Sequence, residues 1–339
     1  MRQRNTRVGR VGVVLALIAA VSLIAAACSG DQEAADEPAE LTSVTLGGGA
    51  YMQNAQATLA LVHGLFEANG LAVDVAEFAT GRDAMTALLG GQVDLAFMAE
   101  FPAVTAALQG EEFSVIAEVS RFSDYQLQTR TDAGIESLAD LPGKSVGTTV
   151  GTNVQYALET ALNNAGYDSS DVEIVNLPPS GIAGALDQGD VDAGMPFDSF
   201  YIPIGEVLGD RHVEIPVEGY SIHWILAASA EMAQNTDVLE AFMRSLKEAE
   251  PFLADAETAL ADIINYSERV NPAYAEATFP KYMFDLQLNR DLLDILVEEG
   301  QWLIETQGLE GESTEELFLS VLDPGPLNAA APGSSDLPG

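Results

Sequence analysis

Cysteine occurs once in this 339-residue chain, at Cys28, and histidine three times, at His63, His212 and His223. One thiol excludes an intramolecular disulfide, and the histidines have no metal-type spacing such as HExxH. Neither a GxSxG nucleophile elbow nor a GxxxxGK(S/T) phosphate loop occurs, so no cofactor, metal or triad chemistry is expected. Positive charge is equally scarce: 14 Lys and Arg face 52 Asp and Glu, a formal charge of −38. A phosphate backbone needs a basic face, so no nucleic-acid partner is expected. The acids are spread along the chain rather than blocked, which fits a hydrated surface. Hydrophobic residues make up 47% of the chain, enough for sizeable cores.

The few cations are unevenly placed. Arg2, Arg4, Arg7 and Arg10 precede an apolar run over 11–27 that ends in Ala25-Ala26-Ala27-Cys28. That order reads as a secretory signal over 1–27. Its end resembles the lipobox of bacterial lipoproteins, which implies lipidation at Cys28. The alternative is an uncleaved anchor helix. Either places the rest outside the cytoplasm, on the outer face of the cell membrane. The acidic, Pro-containing stretch 28–42 reads as a disordered tether, and 326–339 as a loose tail.

The most informative feature occurs twice. Ala87–Asp94 reads ALLGGQVD and Ala185–Asp192 reads ALDQGDVD. Both fit A-L-x-x-G-x-V-D: the last turn of a helix, a Gly that ends it, then a strand. Six residues beyond each Asp stands another acid, Glu100 and Asp198. Strands alternating with helices over 43–119 predict a mostly parallel sheet, and the pattern returns over 145–195. Beyond about Gly219 the chain reads as almost wholly helical.

The segment LADLPGKSVGTTVGTNVQYAL (138–158) resembles a recurrent segment of ABC-transporter solute-binding proteins. The two repeats and VLDPGPLNAAAPG near the C-terminus are similar to the nitrate, sulfonate, taurine and thiamine-pyrimidine-precursor binding group. The resemblance covers about 43–333. It implies an α/β, type II periplasmic-binding fold: two α/β lobes joined by two crossing strands, with a helical C-terminal section packed on lobe 1. Lobe 1 is expected over 43–124 and 225–325 and lobe 2 over 125–224, with hinge segments at 125–129 and 221–229. It further implies a small-molecule solute, membrane permease subunits as partners, a monomer and no catalysis. Met195-Pro196-Phe197-Asp198 departs from the acid-Pro order of many members.

Ligands of open α/β sheets lie beyond the strands' C-terminal ends. By position, the ligand-binding candidates are Tyr51, Gln53 and Asn54; Thr80, Gly81 and Arg82; Gly151, Thr152 and Asn153; and Ser180. Each group opens a helix, whose free N–H groups favour an anion; Thr80, Thr152 and Ser180 would equally serve as caps. Glu100 and Asp198 follow apolar strands, where an idle charge is costly, and are candidates to accept from a ligand amine or amide. Phe101 and Trp224 are candidate aromatic walls. Such a cleft suits a sulfonate or taurine-like zwitterion, or an aminopyrimidine. An enzyme on the same fold, or a sensor or adhesion module, is the alternative.

Overall fold

The computed structural model of the protein describes residues 40–48, 52–78, 80–266 and 270–338. The signal, Cys28, nearly all of the tether and Tyr51 lie outside the described residues. No helix among the described residues is long and apolar enough to cross a membrane.

Among the described residues eleven strands run in chain order: β1 Thr42–Gly47, β2 Leu71–Ala76, β3 Leu95–Ala99, β4 Phe113–Phe122, β5 Tyr125–Arg130, β6 Ser145–Thr148, β7 Glu173–Asn176, β8 Ala193–Met195, β9 His212–Val217, β10 Ile222–Ser229 and β11 Tyr282–Gln287. They form two sheets, ordered β11-β4-β10-β3-β1-β2 and β7-β6-β8-β5-β9. Each sheet has a parallel part built by the repeat and an antiparallel part built by the crossings. β1 pairs parallel with β2 and β3, and β6 with β7 and β8. β4 lies antiparallel between β10 and β11, β10 is also antiparallel to β3, and β5 lies antiparallel between β8 and β9. The expected mostly parallel sheet is therefore mixed, because β4 does not join its predecessors directly; β10, about a hundred residues later, inserts between them.

The repeat is a structural equivalence. The helix Gly81–Leu89 ends with Gly91 at φ +65°, and the helix Ile182–Gln188 with Gly189 at φ +77°, a left-handed turn that glycine adopts without steric cost. Its Asp has the same task in both copies. Asp94 Oδ2 accepts from the Thr45 N–H at 2.7 Å, and Asp192 Oδ2 from the Ser145 N–H at 3.0 Å. Each thus pins the start of its own strand to the neighbouring parallel strand.

The chain passes between sheets twice, at 123–124 and at 218–221. The segments expected as hinges, 125–129 and 221–229, are ladder-bonded strands from Tyr125 and from Ile222 onward. The crossings run side by side, with Ser123 Oγ and Ser221 Oγ 2.7 Å apart. Because β10 begins at Ile222, Trp224 belongs to the first sheet, opposite Ala99 and Ser120.

The helical C-terminal section packs on the first sheet, with one strand that the sequence reading missed. Its helices Thr236–Ala249 and Arg290–Gln307 bury Leu239, Phe242, Leu246, Leu292, Leu296 and Leu303. Between them β11 adds to β4. The expected loose tail is instead docked. The helix Gly325–Ala330 buries Pro326 and Leu327, Ser335 bridges to Leu288, and Leu337 is buried. Those apolar side chains repay the ordering that a polar tail could not.

Candidate ligand-binding cleft

β1, β3, β6 and β8 all run toward the seam between the two sheets, and the residues beyond their ends meet residues of the crossings and of the C-terminal helices. Glu100 is the first residue of the helix Glu100–Leu108, directly after β3, and is 0% exposed. Its Oε1 accepts from the Tyr220 hydroxyl and its Oε2 from the His223 N–H at 2.8 Å. Tyr220 lies in the second crossing, so Glu100 grips the hinge itself.

Asp198 holds the corresponding place after β8. It caps no helix; its Oδ2 accepts from Tyr274 Oη at 2.5 Å and Tyr282 Oη at 3.3 Å, both in the C-terminal section on the other sheet. Burial pushes its carboxyl above the usual range, opposed by the bonds from Tyr274, Ser199 and Tyr282. Asp198 lines a cavity of about 300 Å³ with Gln126, Tyr201, Glu214, Tyr274 and Lys281. Glu100 and Asp198 share no bonded partner, but the charges of both act on Tyr125. Its phenol is lifted first by burial and then by the charges of Asp198 and Glu100.

A second connection runs through the loop after β6. Arg82 donates to the Gly151 carbonyl at 2.9 Å, which ties the two lobes by an exposed bond. Its partner is a backbone carbonyl rather than an acid. Gly151, at φ +76°, gives its own N–H to Gln155 Oε1 at 2.7 Å. Gln155 donates to Glu159 Oε1 at 2.8 Å, and Glu159 Oε2 accepts from Trp302 Nε1 at 2.8 Å. The path leaves lobe 1 at Arg82 and returns to it at Trp302.

An aromatic seam accompanies these bonds. Phe101 meets Trp302 at 5.8 Å, Trp302 meets Tyr156 at 5.5 Å, Tyr156 meets Tyr220 at 5.4 Å, and Tyr220 meets Tyr125 at 5.4 Å. Such offset and edge contacts are worth about 0.5–1.5 kcal/mol each beyond burial.

The other candidates separate into built and peripheral positions. Asn153 is buried and donates to Tyr125 Oη at 3.0 Å. Asn54 is buried ahead of the helix Ala55–Val62; Gln53 is half-buried, its carbonyl bonded by Ser120 Oγ at 2.7 Å. Trp224 is half-buried, with its indole N–H buried and unpartnered at the end of β3. Phe101 is 5% exposed and packs in the core. Gly81 lets its helix approach β3, since a Cβ there would lie 3.1 Å from that of Met98. Thr80 is a cap, accepting from the Asp83 N–H at 3.1 Å, and Thr152 donates to the Thr149 carbonyl at 2.6 Å. Ser180 is exposed on the turn Pro179–Gly181.

Sequence reasoning missed Tyr156, Glu159, Tyr220, Tyr274, Tyr282, Glu299 and Trp302. Only Glu299 left a signal. It stands on the stripe Leu292, Leu296, Leu303 at helical spacing, an acid where the pattern asks for an apolar residue.

Two mixed α/β lobes, linked by paired crossings and meeting over buried polar groups, define a periplasmic-binding fold. A family model described as NMT1/THI5 like matches residues 52–257, more than half the chain, and the protein belongs to that family. The taurine-binding periplasmic protein of Escherichia coli (strain K12) is 27% identical over 205 residues, 59% of this chain and 63% of its own. A Brucella abortus (strain 2308) protein named only as a binding protein is 26% identical over 230 residues, 63% and 67% of the two chains. The alkanesulfonate-binding protein of Xanthomonas axonopodis pv. citri, solved with MOPS, superposes with a TM-score of 0.68 at 19% identity, covering 84% of this chain and 99% of that one.

Proposed function

We propose that this chain is the extracytoplasmic solute-binding component of an ABC importer. It captures a small organic solute between its lobes and delivers it to permease subunits in the membrane. The observation that carries the reading is the convergence at one inter-lobe seam of two tyrosine-held acids, Glu100 and Asp198, with the Arg82–Gly151 clasp. The relatives carry binding-protein names, which supports capture rather than turnover. Acids that accept from a cation, beside an unpartnered indole N–H that would serve an anionic oxygen, suit a taurine-like zwitterion or an aminopyrimidine. A simple inorganic anion would be repelled by Glu100 and Asp198. Lipidation at Cys28, a tether over 28–42 and a monomeric state complete the reading, with the protein held at the outer face of the membrane.

A thermal-shift and calorimetric panel of taurine, alkanesulfonates, aminopyrimidines, nitrate and small carboxylates tests it. A solute at about 100 times its Kd should add about 2.7 kcal/mol. Glu100→Gln and Asp198→Asn are each expected to weaken that solute by about tenfold or more, the loss of a hydrogen bond to a charged group. Unchanged affinity in both variants would remove these acids from the site. Arg82→Ala, which breaks an exposed bond, is expected to cost up to about fivefold in affinity.

A further inference from the structure

We propose that Glu299 is a positioning residue of the cleft, carrying a proton so that Tyr220 and Glu100 can be clasped at the hinge. The argument is a count of hydrogens. The Tyr220 hydroxyl is hydrogen-bonded to Glu100 Oε1 and also lies 3.2 Å from Glu299 Oε1. A phenol has one proton, and here the close contact to Glu100 takes it. The Tyr220–Glu299 contact then sets lone pair against lone pair unless Glu299 supplies a proton of its own. Glu100 is the better place for the charge, because donors face both of its oxygens, the Tyr220 hydroxyl and the His223 N–H at 2.8 Å, whereas Glu299 has one oxygen that no donor meets.

The surroundings give the same answer. Glu299 is 0% exposed, and its Oε2 is buried with no hydrogen-bond partner. A bare carbonyl oxygen of a neutral acid is tolerable there, whereas a bare carboxylate oxygen is far costlier. The titratable groups around it are Glu100 from the helix after β3, Tyr220 from the second crossing, Tyr125 from β5, Tyr156 from the helix Asn153–Asn164, and Glu298 on its own helix. None is a cation. His223 offers Glu100 its backbone, while its ring faces Glu118 at 3.1 Å. No ion pair among the described residues involves Glu100 or Glu299. Burial first, and then the charge of Glu100, raise the Glu299 carboxyl well above the ordinary glutamate range.

The pair therefore holds one proton and one negative charge. The proton on Glu299 leaves Glu100 held by Tyr220 against the crossing 218–221. Ionising Glu299 would put two carboxylates on one phenol and drive Tyr220 off the lobe. Why this matters for capture rests on the cleft proposed above. The test uses no solute, so a failed solute screen and a failed proton assignment are told apart.

Urea unfolding of the ligand-free protein is followed across the neutral and alkaline range. Protonation is favoured in the folded chain, so this contribution is complete below the unfolded-state pKa and is lost as pH rises through the raised folded-state value. Between the ordinary glutamate value and that raised value the wild-type folding constant should fall by up to about tenfold per pH unit, and above it the curve should level off. Glu299→Gln keeps a neutral donor and should flatten that slope. Identical pH slopes in the two proteins would overturn the proposal. Should Glu299→Gln not fold, infrared spectroscopy of Asp198→Asn decides. That variant removes the other tyrosine-held acid, so a protonated-carboxyl C=O band at neutral pH that vanishes at alkaline pH is expected of Glu299. Absence of the band at neutral pH refutes the assignment.

Discussion

Replacing Arg121 with Met should remove about 3–5 kcal/mol of stability, the cost of breaking a buried ion pair from one side. Glu118 is 0% exposed in the middle of β4. Arg121 binds it through both Nε and Nη2, the latter at 3.1 Å, and also reaches Asp291 at 3.1 Å. The His223 ring stands 3.1 Å away on β10. Removing the guanidinium leaves a dry carboxylate beside the first crossing, with the Gln287 amide at 3.3 Å and the His223 ring as its remaining neighbours. Arg121→Lys should recover only part of the loss, since an ammonium lacks the planar fork. Adding Glu118→Gln to Arg121→Met should restore most of it. Denaturant unfolding measures all three variants. A loss under about 1 kcal/mol for Arg121→Met would mean that Glu118 is neutral without its partner.

Trp302→Ala is expected to weaken solute binding more than any substitution that leaves the cleft acids intact. Trp302 belongs to the C-terminal section, yet its indole N–H is held by Glu159 and its ring by Tyr156, both in the helix Asn153–Asn164 of the other lobe. The closed arrangement would lose a hydrogen bond to a charged group, about 1.5–3 kcal/mol, and one inter-lobe aromatic contact, about 0.5–1.5 kcal/mol. If the open form makes neither, apparent affinity falls by about 30- to 2,000-fold through the population of the closed state. Solution scattering should show a larger radius of gyration for the ligand-free variant. Unchanged scattering and affinity together would mean that Trp302 does not report on closure. Trp302→Phe, which keeps a ring and loses the N–H, separates the two contributions.

The two-lobe plan was legible because local signals carry it. A-L-x-x-G-x-V-D specifies a helix end, a left-handed glycine and a strand start within eight residues, and both copies fold that way. Glu100 and Asp198 were legible for a related reason: an acid directly after an apolar strand has to find a partner. What they bond to was not legible, since Tyr220, Tyr274 and Tyr282 lie 76 to 120 residues away from them in sequence. β11 escaped because YMFDLQ is only six residues between helical stretches, where a short apolar run favours neither period. The tail misled because Pro, Gly and Ser dominate it, while the few apolar residues that dock it, Leu327 and Leu337, are ten apart. Thr80, by contrast, was correctly readable as a cap, and its Oγ1 is bonded to Asp83 as a cap should be.

The paired crossings also decide the order in which the molecule can be completed. The second sheet is finished by β9 and comes from one uninterrupted stretch, whereas the first needs β10 to join β3 to β4, and β11 to cover β4. As a chain emerges from the ribosome, β3 and β4 wait for β10, about a hundred residues behind them. The second lobe, meanwhile, already has every strand it requires. Nascent β3 therefore passes through an interval with one unpaired edge and β4 with two, apolar and prone to wrong pairing. An export chaperone that shields those strands until Ile222–Ser229 appears would act where the folding of this chain is most exposed.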